Sequence, residues 1–525
     1  MKGAGSDGKD GPWLTNGAQN GMTELGGHDD LFLGVDAGSS VLKAALFDRD
    51  GTLTASASRP TPRTHPQPAW VEVDPAACLD ALDAVLRELV DACGAPQRIK
   101  AVGFSAAMVG AWLLDDMGQV LRPGINWEDS RSQEMLDQMQ AERPTLYSEI
   151  FAISGSVLQQ GCTLPVVAWL RDNEPAVLAK TDHIVTYKDV LRHHLTGVVA
   201  SERSEAAVMP GDARTQDHSA ALHSLFGLDG FSHLFPKPLA SNVAAGAVTT
   251  EASKRTGLVE GTPVVAGVGD VIANVLGAGG LKEGAATAIL GTTCMVGVTH
   301  AKPVFEPVDL GLLFSLPQQR WYRAMVNVAG TSNLDWALSM VAPEFLEGAD
   351  RFDRLTARLS AVPPGANGVT YLPYLSERGI VAPVAAAPAR AQFSGLHAGH
   401  TPDDMLRAVF EGVAFAMDDL IGLLGLADGA GITLAGGGAR NPLWVQMIAD
   451  ICQQPVIVPD GRELGAKGAA ILAASCVTPG LGLEAIAERM TGDGHRQQPR
   501  PGAAKDWAEA KARFADFRDR LLTRS

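Results

Sequence analysis

The sequence has few cysteines and no spacing among them that suggests a disulfide framework or a zinc site. Its 525 residues include six cysteines, and none of them forms a Cys-x-x-Cys pair. Scattered cysteines are typical of reduced thiols, whereas small secreted domains depend on dense disulfides. We therefore expect a cytoplasmic protein whose cysteines hold neither zinc nor disulfides.

Long apolar segments and basic clusters are also scarce. The uncharged stretch Gly284–Thr299 is rich in Gly and Thr and falls short of the ~18 to 20 apolar residues that span a bilayer. The 43 Lys and Arg face 59 Asp and Glu, which gives a formal net charge of −16. Because an acidic surface repels nucleic-acid phosphates and anionic lipids, we expect neither a nucleic-acid nor a membrane partner.

The length and composition of the chain indicate a large, Gly-rich globular protein. Apolar residues make up 46% of the chain, charged residues 19%, and there are 57 glycines. At ~150 residues per domain, the length allows two to four domains. Residues 1–30 have no periodic apolar pattern and lack the apolar core of a signal peptide, so we interpret them as a flexible tail.

Alternating strand and helix patterns predict α/β layers. Leu31–Val35 is typical of a buried strand, and Leu42–Phe47 predicts a second strand after a turn of small residues. Asp74–Val90 has the apolar spacing of a helix, and Ile99–Phe104 is again strand-like. Strands that alternate with helices in this way are the pattern of α/β domains.

The second half of the chain repeats this arrangement. A strand predicted at Val264–Val268 precedes a helix, and a strand at Ala286–Leu290 ends in another turn of small residues. We place one domain at residues 31–257, a second at 258–485, and a polar segment with a helix packed on the surface at 486–525. Ligand clefts form preferentially between domains, so we expect one there.

The turn after the first strand has the residues of a phosphate and metal site. Asp36 at the strand end could hold hydrated Mg²⁺, while backbone N–H groups of Gly38, Ser39 and Ser40 face phosphate oxygens. Lys43 on the next strand could add positive charge. The alternative is a tight β-hairpin with an Asx-turn.

Two further glycine loops could face a nucleotide. The hydroxyls and N–H groups of Gly291-Thr292-Thr293 could meet the terminal phosphate from the other side of a cleft. Gly436-Gly437-Gly438, between a predicted strand and a helix that starts near Asn441, would let a flat ring approach the backbone. The alternatives are an ordinary turn for the first loop and a helix cap or flexible loop for the second.

Two motifs suggest the sugar side of a site. Asp270 follows a predicted strand and opens an apolar helix, so it is either a helix N-cap or a catalytic base. Trp127-Glu128-Asp129-Ser130-Arg131 combines an aromatic face for C–H groups with charges for hydroxyls, which suits polyol recognition. Its alternative is the start of a surface helix with a salt bridge.

These motifs occur in the same order as in the FGGY family of carbohydrate kinases, which the chain resembles over about residues 31–485. The matching segments are Gly34–Ser40, Trp127–Arg131, Val265–Asp270, Leu290–Thr293 and Gly436–Trp444. Within the family the chain most resembles the xylulokinases, through Trp70–Pro75, Lys188–Leu191 and Leu372–Ser376. The resemblance implies two RNase H-like domains of the actin and hexokinase type with a cleft between them.

The resemblance also implies roles. Asp270 becomes the general base that takes a proton from a sugar hydroxyl as it attacks the γ-phosphate of ATP, and Asp36 and Asp270 become the Mg²⁺ carboxylates. The implied sugar contacts, besides Asp270, are Met108, Val109, Trp127, Asp129 and Arg131. The implied nucleotide contacts are Gly38, Ser39, Ser40, Lys43, Gly291, Thr292, Thr293, Gly436, Gly437, Gly438 and Asn441.

The chain departs from the xylulokinase pattern around the sugar. Xylulokinases carry a Gln-Met-His-Gly turn, whereas here Val109 stands in place of the histidine. Val271 follows the base where the family commonly has Asn or Gln, and the run Ser376–Gly379 is contracted. Sites that bind hydroxyls discriminate steeply, so these changes leave the identity of the sugar or polyol open.

The first hypothesis is an ATP-dependent kinase for a small ketose, most of all a pentulose such as xylulose. Erythritol, erythrulose, ribulose and glycerol are alternative acceptors, and a homodimer is implied by the family. A non-catalytic sugar or nucleotide sensor of the same fold is the second hypothesis. Loss of the base or the metal carboxylate would favour it, yet Asp270 and Asp36 are both present. A dehydrogenase is excluded because no Gly-x-Gly-x-x-Gly follows the first strand.

Overall fold

The computed structural model describes residues 27, 29–159, 161–348, 350–377, 380, 382–384, 386, 388–478 and 480–523. The tail predicted at residues 1–30 therefore lies almost wholly outside the described residues, as do two positions of the run 376–379.

The strands and helices alternate along most of the described chain. The strands of the first half are β1 (Leu31–Ala37), β2 (Val41–Asp48), β3 (Leu53–Pro60), β4 (Arg63–Thr64), β5 (Glu72–Val73), β6 (Ile99–Ala106), β7 (Trp112–Leu114), β8 (Gly124–Ile125), β9 (His183–Val185), β10 (Ser201–Glu202), β11 (Pro238–Leu239), β12 (Ala244–Ala247), β13 (Pro263–Val265) and β14 (Val268–Gly269). Those of the second half are β15 (Ala286–Leu290), β16 (Cys294–His300), β17 (Leu312–Leu316), β18 (Arg320–Asn327), β19 (Thr370–Leu372), β20 (Gln392–Ser394), β21 (Ile432–Ala435), β22 (Val456–Val458) and β23 (His495–Gln497).

The helices lie between these strands. Those of the first half are α1 (Pro75–Cys93), α2 (Gln133–Glu142), α3 (Leu146–Ser154), α4 (Thr163–Asn173), α5 (Pro175–Leu178), α6 (Tyr187–Thr196), α7 (Arg203–Val208), α8 (Ala220–Leu225), α9 (Thr250–Thr256) and α10 (Asp270–Gly277). Those of the second half are α11 (Ser332–Val341), α12 (Arg351–Leu359), α13 (Pro402–Leu424), α14 (Pro442–Cys452), α15 (Leu464–Val477), α16 (Leu483–Thr491) and α17 (Ala503–Leu522).

Two seven-stranded sheets organise the molecule. The first has the order β12-β13-β6-β1-β2-β3, with β14 also paired to β6, and the second has the order β17-β18-β16-β15-β21-β22-β23. In each sheet a central strand, β1 or β15, has an antiparallel neighbour on one side and a parallel neighbour on the other. This repeated topology confirms the prediction of two α/β domains of one type.

The sequence-based domain boundary at 257/258 is corrected by the first sheet. β13 pairs with β6 through Val264 and Val102, and β14 pairs with β6 through Val268 and Ser105. Both strands therefore belong to the first sheet. We call the domain built on this sheet the first unit and the domain built on the other seven-stranded sheet the second unit. The single strand predicted at Val264–Val268 is interrupted at Gly267, where φ is +82° and a Cβ would lie 2.2 Å from the carbonyl oxygen of Phe104.

Helix α15 belongs to the second half of the chain but packs on the first sheet. A Cβ added at Gly34 of β1 would lie 1.8 Å from the carbonyl oxygen of Ala466, and one at Gly103 of β6 would lie 1.9 Å from that of Ala469. A Cβ at Gly468 of α15 would likewise lie 1.9 Å from a carbonyl oxygen of α10. Glycine on both sides thus lets α15 lie directly against the strands and helix that carry the two predicted catalytic carboxylates.

The C-terminal segment is more deeply integrated than a helix packed on the surface. Strand β23 adds an antiparallel edge to the second sheet. Helix α17 places Trp507 and Phe514, which are 2% and 1% exposed, in the core of the second unit. The prediction of a separate segment at 486–525 is therefore corrected, because these residues supply part of the core.

All six cysteines are free, as their scattered positions predicted. Within the ranges that the structure describes, we find no helix with the length and apolarity needed to cross a membrane.

Candidate active site

The two predicted catalytic carboxylates lie at one edge of the first sheet. In the register of β1 and β6, Asp36 pairs with Ser105, and in that of β14 and β6, Gly269 pairs with Ala106. Asp36 is thus near the end of β1, and Asp270 directly follows the end of β14. Because these strands are parallel to β6, their carboxyl ends meet, which is where open α/β sheets bind ligands.

Asp36 is enclosed by its own sheet and by α15. Its Oδ1 accepts a hydrogen bond from Ser105 Oγ at 2.9 Å, and a Cβ added at Gly465 would lie 2.2 Å from its Oδ2. Burial raises the pKa of Asp36 to about 6, while the Ser105 hydrogen bond and the charge of Lys43 act in the opposite direction. Lys43 itself forms an ion pair of 3.0 Å with Glu463. Its predicted contact with phosphate therefore requires it to leave that partner.

Asp270 is the first residue of α10, and its environment differs from that of a helix cap. The capping position belongs to Gly269, and Oδ1 of Asp270 accepts from the adjacent Val271 N–H at 2.8 Å. An N-cap side chain instead accepts from the second or third helical N–H, so the alternative of a simple cap is not supported. Burial, and then the charge of Asp36, raise the pKa of Asp270 to about 7. The two carboxylates are therefore close enough to repel each other.

A cavity of about 330 Å³ opens beside Asp270, between the two sheets. The first unit lines it with Ser39, Met108, Val109, Trp127, Asp270 and Val271. The second unit contributes Thr293, Met295 and Phe314 among others, and Asp270 is the only charged side chain among the described residues of the lining. The structure thus brings together Met108, Val109, Trp127, Asp270 and Thr293 of the predicted site.

The first turn is a β-hairpin, as its alternative interpretation predicted, and it still presents polar groups to the cavity. The N–H of Gly38 donates to the carbonyl oxygen of Val41 at 3.0 Å, which removes it as a phosphate donor. Ser39 lines the cavity, and its Oγ accepts from Trp127 Nε1 at 2.7 Å. Ser40 is exposed in the same turn. The predicted phosphate contacts of this turn are therefore reduced to Ser39 and Ser40.

Asp129 and Arg131 do not line the cavity, which corrects their predicted contact with sugar. Both side chains are fully buried and joined by an ion pair of 2.8 Å, and Asp129 Oδ2 also accepts from Val71 N–H at 2.7 Å. The Arg131 guanidinium lies 3.9 Å from the ring centroid of Trp70. A buried ion pair with these partners supports the turn that carries Trp127 rather than binding a ligand.

The two predicted nucleotide loops are neighbours at the edge of the second sheet. Strands β15 and β21 are parallel, with Ile289 opposite Ala435, so Gly291-Thr292-Thr293 and Gly436-Gly437-Gly438 leave the sheet side by side. Gly436 has φ +92°, and a Cβ there would lie 2.6 Å from the carbonyl oxygen of Leu290. Gly437 faces open space, and both threonines are exposed.

Gly330 supports the first of these loops, and sequence reasoning missed it. Its N–H donates to Thr292 O at 2.6 Å, and the next N–H, of Thr331, donates to Gly291 O at 2.7 Å. A Cβ at Gly330 would lie 2.5 Å from Gly291 O. The Gly-Thr pair at the start of α11 resembles the other loops in composition, and that was the signal available.

Asn441 is a helix cap, which corrects its predicted role at the nucleotide. The residue is fully buried, and its Oδ1 accepts from Trp444 N–H at 3.1 Å at the start of α14. Its side chain therefore fixes the helix that follows the glycine loop and does not reach the cleft.

Ser156–Gln159, Cys162, Val208 and Pro210 also line the cavity, and sequence analysis did not single them out. They lie on loops and short helices outside the two sheets, where no periodic pattern or motif marked them. Val109 has φ +56°, a conformation that β-branched residues rarely adopt and that the sequence could not reveal.

Two repeated α/β units with a cleft between them, carboxylates on one side and glycine loops on the other, define a phosphotransferase of the actin and hexokinase fold class. Family models support this: residues 31–277 match the N-terminal domain of the FGGY family of carbohydrate kinases, and residues 286–476 match its C-terminal domain. The chain belongs to the FGGY family of carbohydrate kinases, which transfer a phosphoryl group to an alcohol acceptor.

Individual relatives agree with this assignment. The chain is 32% identical to the xylulose kinase of Escherichia coli (strain K12) over 456 residues, 86% of this chain and 90% of that relative. It is 28% identical to the L-xylulose/3-keto-L-gulonate kinase of the same strain over 451 residues, 84% of this chain and 87% of the relative. The crystal structure of xylulose kinase from Rhodospirillum rubrum is similar with a TM-score of 0.83 at 28% identity, over 94% of this chain and 99% of that one.

Proposed function

We propose that the protein is an ATP-dependent kinase for a small ketose, and that this ketose is a pentulose such as xylulose. The observation that carries the proposal is the cavity that Asp270 of the first unit and Thr293 of the second both line. An acceptor hydroxyl beside Asp270 would then face a phosphoryl group held by the loop Gly291-Thr292-Thr293. Relatives that are named xylulose kinases support the choice of acceptor.

In this proposal Asp270 is the general base. Phosphoryl transfer depends mainly on positioning and on charge stabilisation, so the base needs to accept the hydroxyl proton from a fixed place. A pKa raised to about 7 leaves Asp270 partly ionised near neutral pH and makes the carboxylate a better proton acceptor than an ordinary aspartate. Closure of the two units would exclude water, which competes as an acceptor.

Asp36 and Asp270 fit the requirements of Mg²⁺. The charge of Asp36 raises the pKa of Asp270, and a divalent cation would stabilise the charged forms of both carboxylates. Mg²⁺ is usually held by one or two carboxylates together with substrate phosphates. Among the described residues there is no group of three or more His, Cys, Asp or Glu side chains that would make an all-protein metal cage. When bound, Mg²⁺ would neutralise phosphate charge during transfer.

The nucleotide would occupy the open side of the second sheet. Gly437 has free space above it, so a flat ring can approach the backbone there. The exposed hydroxyls of Thr292 and Thr293 would contact phosphates, with Ser39 and Ser40 on the opposite side. We further propose that the protein is cytoplasmic and that it forms a homodimer. Sedimentation of the purified protein at several concentrations tests the homodimer directly.

The test is ADP release with Mg·ATP, measured against D- and L-xylulose, D- and L-ribulose, erythrulose, erythritol and glycerol. We expect one strong acceptor, and we expect Asp270→Asn to lower kcat by at least about 100-fold while ATP binding is kept. Asp335→Asn, at an exposed carboxylate of the second unit, is the matched control. ATP binding without turnover of any acceptor would instead favour a sensor, and a variant Asp270→Asn with near-normal kcat would exclude Asp270 as the base.

A further inference from the structure

A cluster of buried polar side chains lies behind the acceptor side of the cavity. Its members are Lys188, Asp189, Glu202, Ser204 and Glu205, each 0% or 1% exposed. Burial of so many polar and charged groups is costly unless they bond to one another or to the backbone. The described lining of the cavity includes none of the five, so the cluster does not bind the acceptor directly.

Two hydrogen bonds connect this cluster to the acceptor site. Glu205 Oε2 accepts from the N–H of Val109 at 3.0 Å, and Ser204 Oγ accepts from the N–H of Gly269 at 3.0 Å. Val109 lines the cavity, and Gly269 immediately precedes Asp270. Adjacent residues of α7 therefore hold the backbone on both sides of the expected position of the acceptor hydroxyl.

The backbone at Val109 requires such support. A valine with φ +56° is strained, and strained conformations persist where the surroundings over-determine them. The Glu205 bond fixes the N–H of Val109, and the next N–H, of Gly110, donates to Gly161 O at 3.0 Å. Met108 is held from the other side, since a Cβ at Gly269 would lie 2.3 Å from its Cγ.

The rest of the cluster fixes Ser204 and Glu205 themselves. Glu202 accepts from the N–H groups of Ser204 at 2.8 Å and of Glu205 at 3.0 Å, and from Ser241 Oγ at 3.2 Å. Lys188 Nζ lies 2.6 Å from Asp189 Oδ1 and 3.9 Å from Glu202 Oε1, which pairs the charges. These hydrogen bonds and ion pairs therefore fix the first turn of α7 within the first unit.

We propose that Ser204 and Glu205 are positioning residues of the kinase. They hold the backbone of Val109 and Gly269 so that the acceptor hydroxyl meets the Asp270 carboxylate. The inference rests on the proposed function for its catalytic meaning. Small displacements of a reacting group are expensive in rate, so loss of either bond should affect the acceptor and not the nucleotide.

The test compares Glu205→Leu and Ser204→Ala with a matched control in the second unit. Glu411 is also buried, at 2% exposure, and also accepts a backbone N–H, that of Gly365 at 3.0 Å. Glu411 also pairs with Arg407 at 2.8 Å, so Glu411→Leu removes a backbone hydrogen bond and an ion pair far from the acceptor. Glu205→Gln is the conservative variant, because its amide oxygen can still accept from Val109.

We expect Glu205→Leu and Ser204→Ala to lower kcat/KM for the acceptor at least about ten-fold, with KM for ATP within about two-fold of wild type. Glu205→Gln should retain most of the wild-type kcat/KM for the acceptor. Glu411→Leu should reduce thermal stability without changing the kinetics. Acceptor kinetics within two-fold of wild type for the two α7 variants, or equal losses in Glu411→Leu, would overturn the proposal.

Hydrogen exchange of the ligand-free proteins separates this inference from the proposed function. Exchange at residues 107–111 and 267–271 should be at least about ten-fold faster in Glu205→Leu and Ser204→Ala, and unchanged in Glu411→Leu. Unchanged exchange in the α7 variants would refute the positioning role whatever the activity. A wild-type protein that phosphorylates no acceptor would refute the kinase proposal, while the exchange data would still decide whether α7 holds the two segments.

Discussion

Single residues at this site owe their chemistry to what encloses them. Burial raises the pKa of Asp36 to about 6, and burial together with the charge of Asp36 raises the pKa of Asp270 to about 7. Gly465 makes that enclosure possible for Asp36, since no side chain fits between the carboxylate and α15. The identity of one small residue therefore determines where a carboxylate can lie.

Gly465→Ala should displace Asp36 and reduce activity. The new Cβ would lie 2.2 Å from Oδ2 of Asp36, so either the carboxylate or α15 must move. We expect kcat to fall at least about ten-fold and the Mg²⁺ concentration needed for half-maximal activity to rise. Gly422→Ala is the control, because beyond the backbone of its own helix no described atom lies within 4 Å of the added Cβ. Equal kinetics in the two variants would contradict the enclosure argument.

His223 should make the stability of the protein depend on pH. Burial, followed by the charge of His218, lowers the pKa of His223 from 6.5 to about 4. The folded state therefore favours the neutral ring, and this stabilisation is complete above pH 6.5 and is lost as the pH falls from 6.5 towards 4. The loss reaches about 3 kcal/mol.

The comparison is urea unfolding of wild type, His223→Gln and His233→Gln at several pH values from 7.5 to 4.5. The free energy of unfolding should fall with pH less steeply in His223→Gln than in wild type. His233 is exposed, so His233→Gln should follow wild type. Parallel pH curves for all three proteins would show that His223 does not titrate as inferred.

Secondary-structure elements were predicted well wherever one face of a strand or helix is buried. β1, β2, α1 and β6 lie where the apolar spacing placed them, with ends that differ by a few residues. The prediction of one continuous strand at 264–268 was wrong. The close approach of Gly267 to Phe104, which interrupts the strand, is a tertiary contact that apolar spacing cannot reveal. The predicted sugar contacts of Asp129 and Arg131 were wrong for a similar reason. The two side chains pair with each other in a buried position, and the motif itself does not show that burial.

The packing of α15 on the first sheet is the element-scale feature on which both carboxylates depend. Glycines of β1, β6, α10 and α15 lie at the closest contacts, and the helix is otherwise rich in alanine. Close packing of this kind tolerates added volume poorly. The sequence contains these glycines without indicating their partners, since only the fold brings them together.

Gly34→Ala should therefore destabilise the protein through this contact. An added Cβ would lie 1.8 Å from Ala466 O, and overpacking of a core costs ~1 to 3 kcal/mol. We expect a clear fall in Tm measured by calorimetry. Gly230→Ala is the control, because its Cβ would have no neighbour within 4 Å. A Tm for Gly34→Ala that equals the control would mean that α15 can shift without cost.

At the scale of the whole molecule, the site exists only because the two units face each other. One sheet supplies the carboxylates and Ser39, and the other supplies Gly291-Thr292-Thr293 and Gly436-Gly437-Gly438. The repeated topology was predictable from the order of motifs. The cavity wall was not, because Val208 of helix α7 and Leu312 of strand β17 come together only through the packing of the two units.

Mg·ATP should consequently stabilise both units together. A ligand that contacts loops from both sheets binds the folded, closed arrangement, and at 100 times its Kd it contributes about 2.7 kcal/mol to stability. We expect Mg·ATP to raise the Tm of wild type in a single transition and ATP with EDTA to raise it much less. Asp36→Asn should lose most of the difference between the two conditions, because it removes one of the two carboxylates proposed to hold the cation. Asp335→Asn should retain that difference. If EDTA made no difference in wild type, the nucleotide would bind without a cation at Asp36, and the stabilisation would have to come from the glycine loops alone.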